Sequence, residues 1–219
     1  MIELCKKENI TNLTVLNLGD MISGQIHLPI RINSRIDVVT QTMEISEILA
    51  EFLTNILYEL GKGATLDYYS VLDNHSRINP KKQDSIQLES FARFTDWYLK
   101  ERLKNTKITI HTNTIDEDIA SFSVKFFDIL GVHGDKDAQK RIVESLTSFT
   151  QTHFDLICSA HYHHFSANED NGTLHISNGS LMGTDEFAFK LRKNSKPSQT
   201  LIVLSNDNPC EIVYKIVLD

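Results

Sequence analysis

The chain has 219 residues, a formal net charge of −7 at pH 7 and a hydrophobic fraction of 41%. This length allows one large domain with a sizeable core, and we expect a single domain over residues 1–219. The sequence contains no apolar run of the roughly 18 residues that a membrane span needs, and the acidic balance argues against a basic nucleic-acid surface. Three scattered cysteines argue against disulfides or a thiolate zinc site. Without features of a secretory signal at its start, the chain is expected in the cytoplasm.

The first predicted elements alternate between strand and helix. Residues 13–18 form a short apolar run closed by Gly19, which is typical of a buried strand. Residues 38–60 carry apolar side chains at helical spacing, and residues 66–72 are rich in aromatic and β-branched residues. This strand–helix–strand order predicts two parallel strands in one sheet.

The rest of the chain is predicted to be mostly strand. A second helix is expected over 85–103, with an aromatic stripe that includes Phe94 and Trp97 in the core, and a third over 136–149. Strands are predicted in "KITIH", "IASFSVKF", "FDILGVHGD", "FDLICSA", "TLHISNG", "TLIVLS" and "EIVYKIVL". The pattern predicts an α/β protein with two packed mixed sheets and helices outside.

Polar residues follow four of these strands in succession. The strand ends deliver Asp20, then Asn74 and His75, then His133, then His161 and His163. Functional groups of open α/β sheets gather beyond the carboxyl ends of strands. Carboxylate, amide and imidazole ligands suit divalent manganese, iron or zinc, so the set predicts a metal site. His164, which would point away from its neighbours, is expected not to be a ligand.

This order of motifs resembles the calcineurin-like metallophosphoesterase superfamily, whose pattern runs D-x-H, G-D, G-N-H-[DE], a later His and G-H-x-H. The resemblance covers about residues 13–180, and "NHSR" and "HGDKD" are similar to a phage-encoded branch. It implies a four-layer α/β/β/α sandwich. It also implies that the protein hydrolyses phosphoester bonds, with phosphodiesters in nucleic acid or nucleotides as the expected substrates, by attack of a metal-bound hydroxide. The resemblance further implies that up to two divalent metal ions are bound. Manganese is the expected metal, and iron, zinc or magnesium are the alternatives.

The resemblance assigns roles residue by residue. Asp20 resembles the bridging carboxylate, and His75 resembles the general acid that protonates the leaving oxygen. The remaining ligands of the second metal would be Asn74, His133 and His161, and His163 would bind the first metal. Arg77 is a candidate substrate contact, with weaker candidates at Arg31, Arg35, Lys81 and Lys82.

The sequence departs from the family pattern in three places. Asp73 replaces the Gly before Asn74, Ser76 replaces the acidic partner expected after His75, and Ala160 replaces the Gly before His161. No D-x-H precedes Gly19, so the first strand is expected to be missing and the first metal site half built. An open sheet edge would then favour a homo-oligomer or a complementing N-terminal segment.

Two alternatives to an active enzyme remain open at this stage. The chain could be an inactive, partial-site remnant that acts as a metal-binding or protein-interaction module. The histidine cluster alone could also be a metal store or sensor, which would not need Asp20 or Asn74. Asp185 and Glu186 are further candidate ligands, although a structured loop is the simpler interpretation.

Overall fold

The structure is a computed structural model that describes residues 1–184 and 194–218. Asp185 and Glu186 therefore lie outside the described residues. The chain divides into two compact units, Met1–Asp118 and Ile119–Asp219. The predicted α/β class is confirmed, whereas the single-domain organisation stays a prediction.

The first unit is built on a parallel sheet in the order β1-β2-β3. The predicted parallel pairing of the first two strands is confirmed, with Leu13 opposite Leu66. The elements of this unit are α1 (Ile2–Lys7), β1 (Asn12–Asn17), α2 (Leu28–Asn33), α3 (Val38–Leu60), β2 (Thr65–Ser70), α4 (Ala92–Leu103) and β3 (Ile108–Ile110). In the described sheet β1 is an edge strand.

Helix α3 has the predicted bounds, and its ends show why. The Asp37 side chain accepts hydrogen bonds from the backbone N–H groups of Val39 and Thr40, which caps the helix start. Gly61, with φ of 89°, ends it in a conformation that favours glycine. Leu53 and Ile56 are buried on the inner face of α3 and form part of the core of this unit.

Helix α4 begins later than predicted and buries a different face. Residues 85–91 do not form the first two turns, because the Phe91 N–H donates to the Ser76 carbonyl and the Ile78 N–H donates to the Glu89 carbonyl. These bonds commit the segment to the loop after β2. The predicted aromatic core stripe is wrong: Phe94 and Trp97 are exposed, and the buried side chains of α4 are Thr95, Leu99 and Leu103.

The second unit contains a five-stranded mixed sheet in the order β4-β5-β6-β8-β7 and a two-stranded antiparallel sheet. Its elements are β4 (Ile119–Val124), β5 (Phe127–Val132), α5 (Ile142–Thr150), β6 (Leu156–Ser159), β7 (Ser166–Asp170), β8 (Thr173–Ser177), β9 (Ser198–Val203) and β10 (Ile212–Val217). Helix α5 begins later than predicted, after a 3₁₀ turn over Gln139–Arg141. The core of this unit joins α5 to the central strands, with Leu130, Ile142, Leu146 and Ile157 buried together.

No helix among the described residues combines the length and apolar character needed to cross a membrane.

Candidate metal centre and active site

Asp20 lies on the turn that follows β1. The side-chain oxygen of Asn17, the last residue of the strand, accepts a hydrogen bond of 3.1 Å from the Gly19 N–H. The amide nitrogen of the same side chain donates to the buried Tyr68 hydroxyl at 2.8 Å. Asn17 therefore ties the turn to the core. Asp20 itself has a φ of 54°, in the left-handed region where Asp is among the few tolerated side chains.

The turn that contains Asn74 and His75 is held by the two residues that depart from the family pattern. Asp73 is buried, and its carboxylate accepts hydrogen bonds from the Ser76 N–H at 2.8 Å and the Ser76 hydroxyl at 2.7 Å. Both partners are therefore satisfied by one another. Asp73 and Ser76 lock the turn, so neither departure leaves an unpaired buried group.

His75 is oriented by a backbone carbonyl. Its Nδ1 lies 2.9 Å from the carbonyl oxygen of Ser23, in the loop after Asp20. A carbonyl oxygen can only accept a hydrogen bond, so Nδ1 carries the proton. The family's acidic partner is absent because Ser76 stands in its place, and the main-chain carbonyl of Ser23 bonds to the ring instead.

His27 is a neighbour of His75 that the sequence analysis missed. The two imidazole rings meet edge to face, with centroids 5.4 Å apart. Burial lowers the pKa of His27, the positive charges of His75 and Arg77 lower it further, and Asp20 opposes them. His27 follows no strand, so the strand-end pattern could not find it. Its one sequence signal is its place directly before the Leu-Pro start of α2.

Arg77 lies two residues beyond His75 and is half-buried. Its Nε is shielded from solvent and has no hydrogen-bond partner among the described residues. A guanidinium prefers to bind carboxylate or phosphate oxygens in pairs, so Arg77 has the chemistry of an anion contact. The weaker candidates Arg31, Arg35, Lys81 and Lys82 are all exposed on loop and helix surfaces.

In the second unit, His133 and His161 lie side by side. His133 follows β5 and is 2% exposed, and His161 follows β6. The Ala160 N–H donates to the His133 carbonyl at 3.0 Å, which joins the two strand ends. The His161 Nδ1 and the His133 Nε2 are 3.2 Å apart, and the rings are inclined by 72°.

This spacing fits the donor set of a divalent metal site. Two imidazole nitrogens that each lie about 2.1 Å from one ion, at an angle between octahedral and tetrahedral, are about 3.0–3.4 Å apart. The observed 3.2 Å falls within that range. The pair therefore has the atom types and the separation of two ligands of one divalent ion.

His161 and His163 reach their positions through a tight turn rather than an extended strand. Both have left-handed backbones, with φ of 61° and 60°. Of the described non-glycine residues with positive φ, which are Asn9, Asp20, Lys125, Gln151, His161, His163 and Asn171, three are predicted metal ligands. Backbone strain of this kind clusters at functional sites. His164 is exposed, and its Nδ1 donates to the Tyr162 carbonyl, as suits a non-ligand.

The comparisons with known proteins agree with this reading of the fold. No protein-family model matches the chain. The chain is 24% identical, over 231 aligned positions, to the SPbeta prophage-derived uncharacterized protein YonJ of Bacillus subtilis (strain 168). The match covers 100% of this chain but only 55% of that relative, so the chain spans about half the relative's length.

Solved structures give the clearest likeness. An archaeal protein described as a novel phosphodiesterase superposes with a TM-score of 0.51 at 15% identity, over 99% of this chain and 88% of its own. A single-substitution variant of Vps29 from Entamoeba histolytica matches at 12% identity with a TM-score of 0.44, over 94% of this chain and 99% of its own. The likeness to the archaeal phosphodiesterase, together with the order of elements, shows that this chain shares the fold of that protein.

Proposed function

We propose that this chain is a metal-dependent phosphoesterase that hydrolyses phosphodiesters in nucleic acid or nucleotides. The observation that supports this most directly is the imidazole pair of the buried His133 and the half-buried His161, whose nitrogens are 3.2 Å apart. The setting we propose is the bacterial cytoplasm during phage or prophage expression.

The ligands we propose are those that the family resemblance implies. Asp20 offers a carboxylate oxygen, and His133 and His161 offer imidazole nitrogens. Asn74 would add an amide oxygen and His163 a further imidazole, as the family resemblance implies. These donors suit manganese first, with iron, zinc or magnesium as alternatives. A divalent ion held there supplies charge neutralisation at the phosphoryl group and activates water for attack on phosphorus.

His75 is the proposed general acid. With Nδ1 committed to the Ser23 carbonyl, proton exchange with substrate takes place at Nε2. The imidazolium gives its Nε2 proton to the leaving oxygen and becomes the neutral ring that is protonated at Nδ1. Arg77 would bind a non-bridging phosphate oxygen through its guanidinium, which holds phosphorus in place during the transfer.

The test is turnover of a chromogenic phosphodiester, bis(p-nitrophenyl) phosphate, by purified protein. We expect hydrolysis with added manganese and none with a chelator, together with tightly held manganese after desalting. Metal retention without turnover would instead support the alternative, a partial-site metal-binding or protein-interaction module. Because the prophage relative is longer than this chain, the assay should be repeated with the full-length protein of that relative. Inactivity of both chains, with metal bound, would overturn the enzyme proposal.

A subunit partner remains part of the proposal. Strand β1 is an edge of its described sheet, and an edge strand presents unpaired N–H and C=O groups with which another strand can pair. A second copy of the chain or a further N-terminal segment would pair with this edge. Light scattering of the purified protein measures its molar mass. The mass of a dimer would support pairing with a second copy, and the mass of a monomer would favour a further N-terminal segment.

A further inference from the structure

The Ser23 carbonyl is presented to His75 by a loop that only glycine permits. Gly24, the next residue, has a φ of +65°, and a Cβ placed there would lie 2.0 Å from the His75 carbonyl oxygen and 2.9 Å from its carbon. Such a contact requires the backbone to move. The Gly24 N–H also donates to the Gln41 side chain on α3 at 3.2 Å. The loop is thus fixed from one side by a helix and from the other by close contact with the His75 backbone.

The backbone of His75 is fixed independently. Asp73 and Ser76 bracket Asn74 and His75, and the two hydrogen bonds between them close the turn. The Ser76 carbonyl accepts from the Phe91 N–H at 2.8 Å, just before α4 begins. Because donor and acceptor loops are each anchored to a helix, the bond between His75 and Ser23 is a fixed feature of the first unit and not an accidental surface contact.

We propose that the Ser23 carbonyl is the positioning group of His75, setting the Nδ1–H tautomer so that Nε2 is the atom presented for proton transfer. Gly24 and the turn between Asp73 and Ser76 are its supports. The role given to Nε2 rests on the proposed function, whereas the tautomer itself does not. The chemistry differs from a carboxylate partner, because a neutral carbonyl orients the ring without adding a negative charge beside it.

The tautomer can be read directly in protein without added metal. Long-range proton–nitrogen correlation spectra of imidazole-labelled protein, recorded at about pH 8.5 where an ordinary histidine is neutral, separate protonated from unprotonated ring nitrogens. The signals of His75 are assigned by their loss in the His75→Ala variant. We expect a protonated Nδ1 and an unprotonated Nε2. A spectrum in which His75 is protonated at Nε2 would overturn the proposal.

A matched pair of glycine variants tests the support. Gly24→Ala should displace the Ser23 carbonyl and shift His75 towards a mixture of tautomers. Gly63→Ala is the control, because Gly63 also has positive φ, +99°, but a Cβ there meets nothing within 4 Å. The control should leave the His75 spectrum unchanged. An unchanged tautomer in a folded Gly24→Ala protein would contradict the role of the loop, and if that variant does not fold, the wild-type spectrum still decides the tautomer.

Activity separates this inference from the proposed function. In an active protein, Gly24→Ala should lower kcat about ten- to a hundredfold with little change in KM, because misplacement of a proton donor weakens the transition state more than substrate binding. If His75 is the Nδ1–H tautomer but the protein has no phosphodiesterase activity, the positioning role of the Ser23 carbonyl is supported and the proposed function is contradicted. Turnover by a protein whose His75 is the Nε2–H tautomer would support the proposed function and contradict the positioning role of the Ser23 carbonyl.

Discussion

The first and second units of this chain use the same side chain in opposite ways. In the second unit two imidazoles, those of His133 and His161, turn their nitrogens towards each other at buried strand ends. In the first unit the half-buried His75 bonds to a carbonyl through one nitrogen, which leaves the other nitrogen for the proposed proton transfer. The difference teaches that surroundings, more than residue type, decide whether a histidine holds an ion or moves a proton.

The supports of the two regions differ as well. The imidazole pair follows strands whose residues are almost entirely buried, so the core itself places it. His75 depends on a turn that polar side chains and backbone bonds hold in place. We therefore expect the two regions to fail differently when they are mutated.

The largest effect is expected at the imidazole pair. His161→Ala should remove bound manganese and reduce phosphodiester hydrolysis to the background rate, because it deletes one of two adjacent donors. Metal content after desalting and the initial rate measure both. His164→Ala is the control, since His164 is exposed and its bonds go to the Tyr162 carbonyl and the Gln139 side chain. Equal losses in both variants would mean that the pair has no special role.

The next effect sharpens the contrast, because His75→Ala should leave the metal in place. We expect kcat to fall about a hundred- to ten-thousandfold, which is the usual contribution of a positioned acid, while manganese content stays at the wild-type level. His153→Ala, at an exposed position, provides the comparison. Loss of metal in the His75→Ala protein would erase the distinction between the two regions.

The core beneath the imidazole pair should matter more than the surface around it. Leu130→Ala, in β5 and fully buried, should lower the free energy of unfolding by about 2–5 kcal/mol. Phe126→Ala, at an 86% exposed side chain of the same unit, should change it by less than about 0.5 kcal/mol. Urea unfolding measures both, and similar losses would argue against core placement of the pair.

The smallest predicted effect concerns the cavity beneath the His75 turn, which Asp73, Ser76 and Asp96 line together with several apolar side chains. Burial raises the pKa of Asp96 from 3.8 to about 6, although the Ser70 hydroxyl bonds to its carboxylate at 2.8 Å. Because the folded pKa lies above the unfolded value, the charged carboxylate destabilises the fold. This penalty is absent below about pH 4 and complete above about pH 6.

Asp96→Asn should therefore gain stability over wild type as pH rises, by at most about 3 kcal/mol for a shift of about two pKa units. Urea unfolding at about pH 4 and pH 7.5 gives the difference directly. If the difference in free energy of unfolding between Asp96→Asn and wild type is the same at both pH values, Asp96 does not titrate in this range. Ser123→Ala, which removes an exposed hydrogen bond to a carboxylate, is a suitable control.

Much of the fold could be predicted because its elements follow strong local patterns. Helix α3 has an Asp cap, regular apolar spacing and a glycine end, and its bounds agree with the prediction. Strand β7 was missed because its sequence, "SANED", is polar and largely exposed. The start of α4 was misplaced because residues 85–91 have helical spacing, whereas their backbone bonds go to the loop after β2. Such long-range bonds leave no mark on local sequence.

The candidate site was predictable only in part, for a related reason. Strand ends can be read from apolar runs, which is why Asp20, Asn74, His75, His133, His161 and His163 could be chosen. The contact of Ser23 with His75 involves a main-chain carbonyl, for which no residue type is required. His27 lies before a short helix and joins His75 through tertiary packing alone.

The left-handed backbone of Asp20, His161 and His163 has a thermodynamic consequence. Residues held in this region have their conformational entropy removed when the chain folds, so little ordering would remain when an ion arrives. Uptake of manganese by the folded protein should then show a small heat-capacity change in calorimetry, unlike the large negative value of coupled folding and binding. Ordering these residues would lower the free energy of unfolding, and the metal affinity would be higher because no further ordering is needed on binding.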